Sequence, residues 1–242
     1  MAVPRDYLAR VLAALDAPGV GAGTCLYRGR GDAGFWSRFA AAGPSWQFLA
    51  ALAVGIGGKF ATPCMGSTIA LRRETLAAIG GFAVFADILA DDHAIGQAIG
   101  AQGLAIAVPP LLLAHAHDDS SFGAVWRHEL RWAATVRGVA PAGYAGSIVA
   151  YPVPLAILAV LVHPAIGLWV ALGALLARFA FAHAVDTRGG ERPLSCLWLP
   201  ARDILSFAVF LASFFARSVD WRGASLRMAS NGTIVAGPEN SQ

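Results

Sequence analysis

The segments Asp91-Asp92-His93 and His128-Glu129-Leu130-Arg131-Trp132 bound the stretch that decides how this chain is interpreted. Between them the sequence contains a short helical pattern, two apolar runs and a polar loop. Acids, histidines, an arginine and a tryptophan gather more densely here than elsewhere in the chain. The residues before this stretch have the pattern of a scaffold, and the residues after it have the pattern of a membrane domain.

Strand and helix patterns alternate on both sides of Asp91. Either Asp91 or Asp92 is expected to cap a helix that runs through Ile99, because a carboxylate at a helix start accepts a hydrogen bond from the first turn. Two other helices are predicted at 4–14 and 73–79, and a further one, capped by Ser120 or Ser121, runs through Val136. The predicted strands are 20–27, 64–71, 104–108 and 111–114, with a turn or loop at 28–32. This alternation predicts an α/β sandwich.

The composition is too apolar for an ordinary soluble domain. Hydrophobic residues make up 57% of the 242 residues and charged residues 14%, whereas charged residues are about 25% of an average domain. The excess follows Gly143, which indicates membrane segments. The net charge of +3 suits an anionic membrane surface better than nucleic acid. The three scattered cysteines indicate free thiols in a reducing compartment.

Two long uncharged or nearly uncharged runs, 146–162 and 165–184, are each about long enough for one membrane crossing. His163-Pro164 between them predicts a tight transmembrane hairpin. A third run, 194–215, contains Pro200 and is interpreted as a re-entrant or interfacial helix pair broken near that proline, with a third membrane helix as the alternative. The predicted organisation is a catalytic region at 1–142, a membrane region at 143–217 and a polar tail at 218–242 that ends in disordered residues.

An earlier run at 35–58 is apolar and aromatic but is interrupted by Gly43-Pro44. Its apolar part at 46–56 is about half the length that a bilayer requires. We therefore expect helices that lie on the domain or at the membrane interface, and simple core helices are the alternative.

The distribution of arginines predicts the orientation in the membrane. Arg127, Arg131 and Arg137 precede the first predicted crossing, and Arg188 and Arg192 follow the second. Basic residues near the ends of crossings remain on the cytoplasmic side. The catalytic region is therefore expected to face the cytoplasm.

The acidic pair has two interpretations. Asp91 and Asp92 at a helix start complement the helix dipole and cap its N–H groups. Because consecutive side chains diverge, one carboxylate can cap the helix while the other enters a cleft. A carboxylate in a partly dry cleft is a candidate general base for a hydroxyl nucleophile.

The second cluster also has two interpretations. His128 and Arg131 are three residues apart and share a helix face, with Trp132 one step round. Arginine can bind phosphate oxygens and tryptophan can stack on a sugar ring. The alternative is a helix with basic and aromatic anchors just before a transmembrane segment.

The order of these elements resembles the membrane-bound ceramide glucosyltransferase-like glycosyltransferases, which have a GT-A fold. In Leu89-Ala90-Asp91-Asp92-His93, Asp92 resembles the third family aspartate, the general base. His128-Glu129-Leu130-Arg131-Trp132 resembles the (Q/R)xxRW element, with His128 in place of the usual Gln or Arg. Three further stretches resemble the ceramide glucosyltransferase group. They are Met65 to Arg73, Pro4 to Tyr27 and Val219-Asp220-Trp221-Arg222-Gly223. The similarity is closest to a bacterial branch associated with hopanoid biosynthesis.

This resemblance implies an inverting hexosyltransferase of the bacterial inner membrane. A nucleotide-sugar would be the donor and a lipid hydroxyl of a hopanoid or ceramide type the acceptor. Asp92, with Asp91 beside it, would be catalytic, and His128, Arg131 and Trp132 would bind substrate. A non-catalytic lipid-binding or partner-binding membrane protein is the competing interpretation, and a small transporter is a third.

One departure from the family pattern concerns the metal. In the family, a DxD motif holds a divalent Mg or Mn ion that neutralises the leaving diphosphate. No DxD occurs in these 242 residues, so no metal ligand is assigned. A helix opening similar to Val3-Pro4-Arg5-Asp6 follows that motif in the family. The resemblance therefore implies an N-terminally truncated chain without transferase activity of its own.

Overall fold

The computed structural model describes residues 1–58 and 63–216, together with the strand segments 219–221, 224–228 and 234–236. The described residues form a mixed α/β fold that is mostly helical. The helices are α1 (Tyr7–Leu15), α2 (Phe35–Ala42), α3 (Leu49–Gly57), α4 (Arg73–Ala78), α5 (Asp91–Ala101), α6 (Phe122–Val139), α7 (Pro141–Gly146), α8 (Pro152–Val162), α9 (Pro164–Gly189) and α10 (Leu199–Ser213). The strands are β1 (Val20–Gly23), β2 (Leu26–Gly31), β3 (Ala70–Leu71), β4 (Ala105–Ala107), β5 (Leu112–His117), β6 (Val219–Trp221), β7 (Ala224–Met228) and β8 (Ile234–Ala236).

Two small sheets lie in the region 1–142, which the sequence predicts to be catalytic. Strand β1 pairs antiparallel with β3 and parallel with β4, and β2 pairs parallel with β5. The turn expected at 28–32 is wrong for 28–31, which belong to β2. A Cβ atom on Gly29 would lie 2.2 Å from the carbonyl oxygen of Ala41 in α2. Gly29 therefore allows α2 to pack directly on the backbone of β2. The chain continues here as a strand where a turn was predicted.

The strand expected at 64–71 is shorter than predicted and consists of Ala70 and Leu71. Upstream of it, the Met65 backbone N–H donates to the Thr24 hydroxyl at 2.9 Å, and that hydroxyl lies 3.2 Å from the Met65 carbonyl oxygen. A buried side chain thus satisfies backbone groups that a strand partner would otherwise satisfy.

The run at 35–58 is continuous helix from Phe35 to Gly57 and is long and apolar enough to cross a membrane. Gly43-Pro44 does not interrupt it, contrary to the sequence prediction. The chain passes Pro44 in a π-helical turn, Gly43–Phe48. A wider turn removes the need for the hydrogen bond that proline cannot donate. By length and composition, this run is therefore a candidate span rather than half of one.

The expected hairpin is present around His163-Pro164, with α8 packed along α9. A Cβ atom on Gly167 would lie 2.4 Å from the Val160 backbone, so the two helices are in close contact there. The run at 146–162 is not one straight helix, however. Pro141–Ala150 and Pro152–Val162 meet at 67°, because a residue before proline is driven out of the helical conformation.

Two further segments, Pro164–Gly189 and Cys196–Ser213, are long and apolar enough to cross a membrane. The break predicted near Pro200 is wrong. Pro200 lies in the first turn of α10, where its missing N–H has no intrahelical partner in any case. The bent pair before α9 has the geometry of either a broken span or a re-entrant loop.

The tail contains strands that were not predicted, and its last residues, which were predicted to be disordered, lie outside the described ones. Strands β6, β7 and β8 form an antiparallel sheet in the order β6-β7-β8. The remaining residues of 217–242 lie outside the described ones, as do 59–62.

A buried ion pair ties the apolar helices together. Arg178 of α9 donates from Nε and Nη2 to the two carboxylate oxygens of Asp203 in α10, at 2.7 and 2.6 Å. Its Nη1 donates to the Trp46 carbonyl oxygen at 2.6 Å, and its Nη2 also donates to Gln47 Oε1 at 3.1 Å. Arg178 is thus bonded at every nitrogen, and it joins three of the apolar segments.

Candidate active site

The register of the β2–β5 sheet positions two histidines. Gly29 pairs with His115 and Gly31 with His117, so both histidines lie on the sheet face that α2 covers. A Cβ atom on Gly31 would lie 2.4 Å from the Arg38 backbone. Helix α2 therefore packs closely on β2, and the larger side chains of this face belong to β5.

Helix α6 begins directly beyond the end of β5. Ser121 caps it, as predicted, by accepting a hydrogen bond from the Ala124 N–H at 3.2 Å. The helix directs His128 towards the histidine at the end of the strand. The ring centroids of His117 and His128 are 5.7 Å apart, and those of His128 and Trp132 are 5.1 Å apart. Two of the predicted substrate-binding side chains are therefore in contact with each other.

Asp119 lies between the strand and the helix and is 8% exposed. Its two carboxylate oxygens are 3.4 and 3.3 Å from His128 Nδ1. One of them is 3.6 Å from Nδ1 of His117, which is 4% exposed. Two imidazoles thus face one buried carboxylate.

Burial sets the charge of these groups. Desolvation, followed by the neighbouring His115 and His128, lowers the pKa of His117 to about 4. Desolvation also lowers the pKa of His115. Desolvation lowers the pKa of Arg131, and the Asp119 charge opposes that shift, but an arginine guanidinium remains protonated at neutral pH. At pH 7 the site therefore offers neutral imidazole lone pairs beside a cationic guanidinium.

Asp91 and Asp92 occupy the first turn of α5, and Ala90 holds the cap position. The prediction that one of them caps the helix is therefore wrong. Asp92 Oδ2 instead accepts a hydrogen bond from the Gly66 N–H at 2.9 Å, which fixes the preceding loop to the helix start. Asp91 is exposed, and its Oδ1 accepts from the Asp92 N–H at 2.9 Å. The two carboxylates therefore diverge, as their consecutive positions predict.

Tyr27 and His115 connect Asp92 with the α6 cluster. Desolvation and then the Asp92 charge raise the pKa of Tyr27 to about 12. The Tyr27 and His115 rings are 5.6 Å apart, and the His115 and Trp132 rings are 6.4 Å apart. Tyr27, His115 and Trp132 thus form a row of neighbouring rings, and Asp92 lies close enough to Tyr27 to affect its pKa.

The sequence analysis missed His115, His117 and Asp119. Their signal was present in the run Ala114-His115-Ala116-His117-Asp118-Asp119, where polar side chains recur every second residue at the end of an apolar strand. Period-two alternation places such side chains on one face of a strand. The predicted strand ends at Ala114, which places these residues in the polar loop, whereas β5 continues to His117.

The divalent Mg or Mn ion that the resemblance implies does not fit the residues present. Such ions take oxygen ligands, and the sequence contains no DxD. Asp92 already bonds to Gly66, and Asp91 diverges from it. His117, Asp119 and His128 do form a group whose ligand atoms lie within 4.8 Å of one another, but two of the three ligands are nitrogens. We therefore derive no step through a DxD-type metal.

Glu129, the neighbour of His128, attaches α6 to the apolar helices. Its carboxylate accepts a hydrogen bond from Arg202 Nη2 of α10. Arg202 is 2% exposed, and its guanidinium carbon lies 5.5 Å from the centre of the Phe39 ring. The helix that carries His128 and Arg131 is thus fixed directly to the candidate membrane segments.

Comparison with known proteins identifies the family. No curated protein and no solved structure was found to match the chain. The family model described as "Glycosyl transferase family 21" matches residues 1–234. This match includes both the Asp91-Asp92 helix and the His128–Trp132 element, and the family is the ceramide glucosyltransferase-like one. The chain belongs to glycosyl transferase family 21.

Proposed function

We propose that this chain provides the acceptor side of an inverting membrane hexosyltransferase. The enzyme moves N-acetylglucosamine or glucose from a nucleotide-sugar to the hydroxyl of a membrane lipid, a hopanoid or a ceramide-like molecule. The observation that carries this proposal is the family match over 1–234, which establishes glycosyl transfer as the general activity. The sugar, the lipid and the inverting course are proposals that rest on the resemblance of the motifs.

In this proposal Asp92 removes the proton from the acceptor hydroxyl. Its carboxylate is partly exposed, and the Gly66 N–H holds it in place. A general base needs such a fixed position within reach of the proton that it removes. Asp91, which is exposed on the same helical turn, contributes negative potential beside it.

The α6 residues bind the sugar and its diphosphate. The Arg131 guanidinium has the planar fork that matches phosphate oxygens, and Trp132 offers a flat face to the sugar ring. His128 lies one turn before Arg131 and contacts Trp132 at 5.1 Å between ring centroids. The three side chains therefore suit a leaving group that gains negative charge as the glycosidic bond breaks.

The donor side needs a divalent ion held by a DxD motif, as the resemblance implies. Because these 242 residues contain no such motif, we expect no transfer by this chain alone. The acceptor site would face the cytoplasm at a bacterial inner membrane. That orientation is supported by Arg127, Arg131, Arg137, Arg188 and Arg192 near the ends of the hairpin.

The test uses membranes that contain the chain, radiolabelled UDP-N-acetylglucosamine or UDP-glucose, Mg²⁺ and Mn²⁺, and hopanoid or ceramide acceptors. The chain is assayed alone and together with a DxD-bearing donor half from another family member. We expect labelled lipid only in the second case. Asp92→Asn and Arg131→Gln should reduce it by at least about a hundredfold, whereas exposed Asp87→Asn and Arg127→Gln should not. Transfer that survives Asp92→Asn would overturn the proposal.

The second candidate function is lipid binding without catalysis. The absence of DxD from the chain favours it. The two candidates differ in the complemented assay, because a binding protein would form no labelled, glycosylated lipid with any donor half.

A further inference from the structure

We propose that His117, Asp119 and His128 bind one divalent transition-metal ion of the zinc class. His117 comes from the end of β5, Asp119 from the loop that follows, and His128 from the second turn of α6. Each offers one ligand atom, and all of these atoms lie within 4.8 Å of one another. A single ion of ordinary coordination distance, roughly 2.0–2.2 Å to N or O, can therefore contact all three after small side-chain movements.

The main argument is the state of His117. Its Nδ1 and its Nε2 are both buried and have no hydrogen-bond partner among the described residues. A carboxylate oxygen of Asp119 lies 3.6 Å from Nδ1, beyond hydrogen-bond distance. Buried polar atoms without partners are rare because each one loses its interactions with water and gains nothing. A hydrogen bond between Asp119 and His128 explains those two residues but leaves His117 unexplained. A cation between the three side chains satisfies the carboxylate and gives one His117 nitrogen a partner.

The donor set selects the class of ion. Two imidazoles and one carboxylate suit zinc or iron(II), whereas Mg²⁺ and Ca²⁺ prefer oxygen ligands. This proposed site therefore differs from a DxD site in its residues and in its ion. Three protein ligands also leave at least one coordination position open for water or an anionic oxygen.

The surroundings favour a held ion over a transient one. His117 and Asp119 are 4% and 8% exposed, and the His128 side chain is 27% exposed. Two ligands are thus shielded, and the third provides an opening to solvent. The cluster also lies outside the candidate membrane spans, so an ion from the aqueous side can reach it. This inference does not depend on glycosyl transfer.

The test measures binding to the full chain, purified in detergent and stripped with EDTA. Co²⁺ is titrated while the visible absorption is recorded, and Zn²⁺ affinity is measured by competition with a chromogenic chelator. We expect one ion per chain, visible bands typical of four- or five-coordinate Co²⁺, and no near-ultraviolet thiolate band. An excess of Mg²⁺ should not displace the ion.

Variants localise the site. His117→Gln and Asp119→Asn should each weaken Zn²⁺ binding at least tenfold, while circular dichroism reports whether they remain folded. The matched controls are His163→Gln and His183→Gln, whose side chains are exposed, and they should bind as the wild type does. The proposal is overturned if the wild type binds no ion, if a thiolate band accompanies binding, or if folded His117→Gln and Asp119→Asn retain full affinity.

Discussion

His128 and Glu129 are neighbours on α6, yet they belong to two different kinds of polar cluster. Glu129 pairs with Arg202, which lies near the Arg178–Asp203 pair, where all the guanidinium nitrogens of Arg178 are bonded. His128 faces Asp119 and His117, whose two ring nitrogens have no hydrogen-bond partner among the described residues. Arg202 also has two such buried nitrogens, Nε and Nη1. The clusters therefore differ in geometry: the first links helices through the fully bonded Arg178, whereas the second places three possible ligand atoms within 4.8 Å of one another. Burial alone therefore does not distinguish a structural cluster from a functional one.

Removing one charge of the buried pair should have the largest effect. Asp203→Asn leaves Arg178 buried without a counter-ion, which costs about 3–5 kcal/mol of unfolding free energy. Since whole domains have about 5–15 kcal/mol, much of the protein should be lost. Thermal unfolding and monodispersity in detergent measure this effect.

The matched change in the other cluster is Asp119→Asn, which should cost less than about 1.5 kcal/mol, because an amide oxygen still accepts from His128. The double variant Arg178→Met/Asp203→Leu should recover most of the loss, since no buried charge remains. Equal losses for Asp203→Asn and Asp119→Asn would remove the distinction between the clusters.

The sequence predicted the parts of the site that depend on local pattern. The Ser121 cap and the α6 helix required only the order of residues, and so did the hairpin around His163-Pro164. The structure departs from the predictions where a distant segment supplied the deciding contact. The sequence around Gly29 predicts a turn, but α2 packs on Gly29 and the residue lies in a strand. Pro44 predicts a break, but a π-helical turn accommodates this proline within a continuous helix.

The same limit applies to the site. His117 and Asp119 form a possible ligand group only together with His128, which belongs to a different element, α6. The register of β5 against β2 decides which face the histidines occupy, and a period-two pattern alone leaves that choice open. Arg178 and Asp203 are charges within apolar runs of the sequence, but their pairing across α9 and α10 is visible only in the tertiary structure.

The pH dependence of stability should separate the two clusters next. Because the folded pKa of His117 is about 4 and its ordinary value is 6.5, the unfolded chain binds a proton that the folded chain excludes. Stability is therefore complete above pH 6.5 and is lost as the pH falls towards 4. Between pH 8 and 5 we expect a loss of about 2 kcal/mol.

The measurement is denaturant unfolding of metal-free protein at several pH values. His117→Gln should remove most of the slope between pH 6.5 and 5, and a smaller part should remain from His115, whose pKa is also lowered. Asp119 and His128 face the same ring and remain in both proteins. Exposed His183→Gln should preserve the slope. An unchanged slope in His117→Gln would show that the histidine does not titrate as its burial requires.

Cys64 reports on Asp92, which both bonds to Gly66 and carries the proposed catalytic role. Desolvation, then Asp92, then Asp91 raise the pKa of Cys64 to about 11, whereas Cys196 is exposed. Since the thiolate is the reactive form, Cys64 should alkylate more slowly than Cys196 at pH 8, by about tenfold to a hundredfold. Asp92→Asn should accelerate Cys64 severalfold by removing a nearby negative charge, and Asp87→Asn should not. Mass spectrometry of iodoacetamide labelling over time measures both rates.

Acceleration confined to Asp92→Asn would mean that this carboxylate is a charge in the cleft as well as an anchor for Gly66. If Asp92→Asn does not accelerate the labelling of Cys64, the role of Asp92 is structural, as the acceptor that holds Gly66.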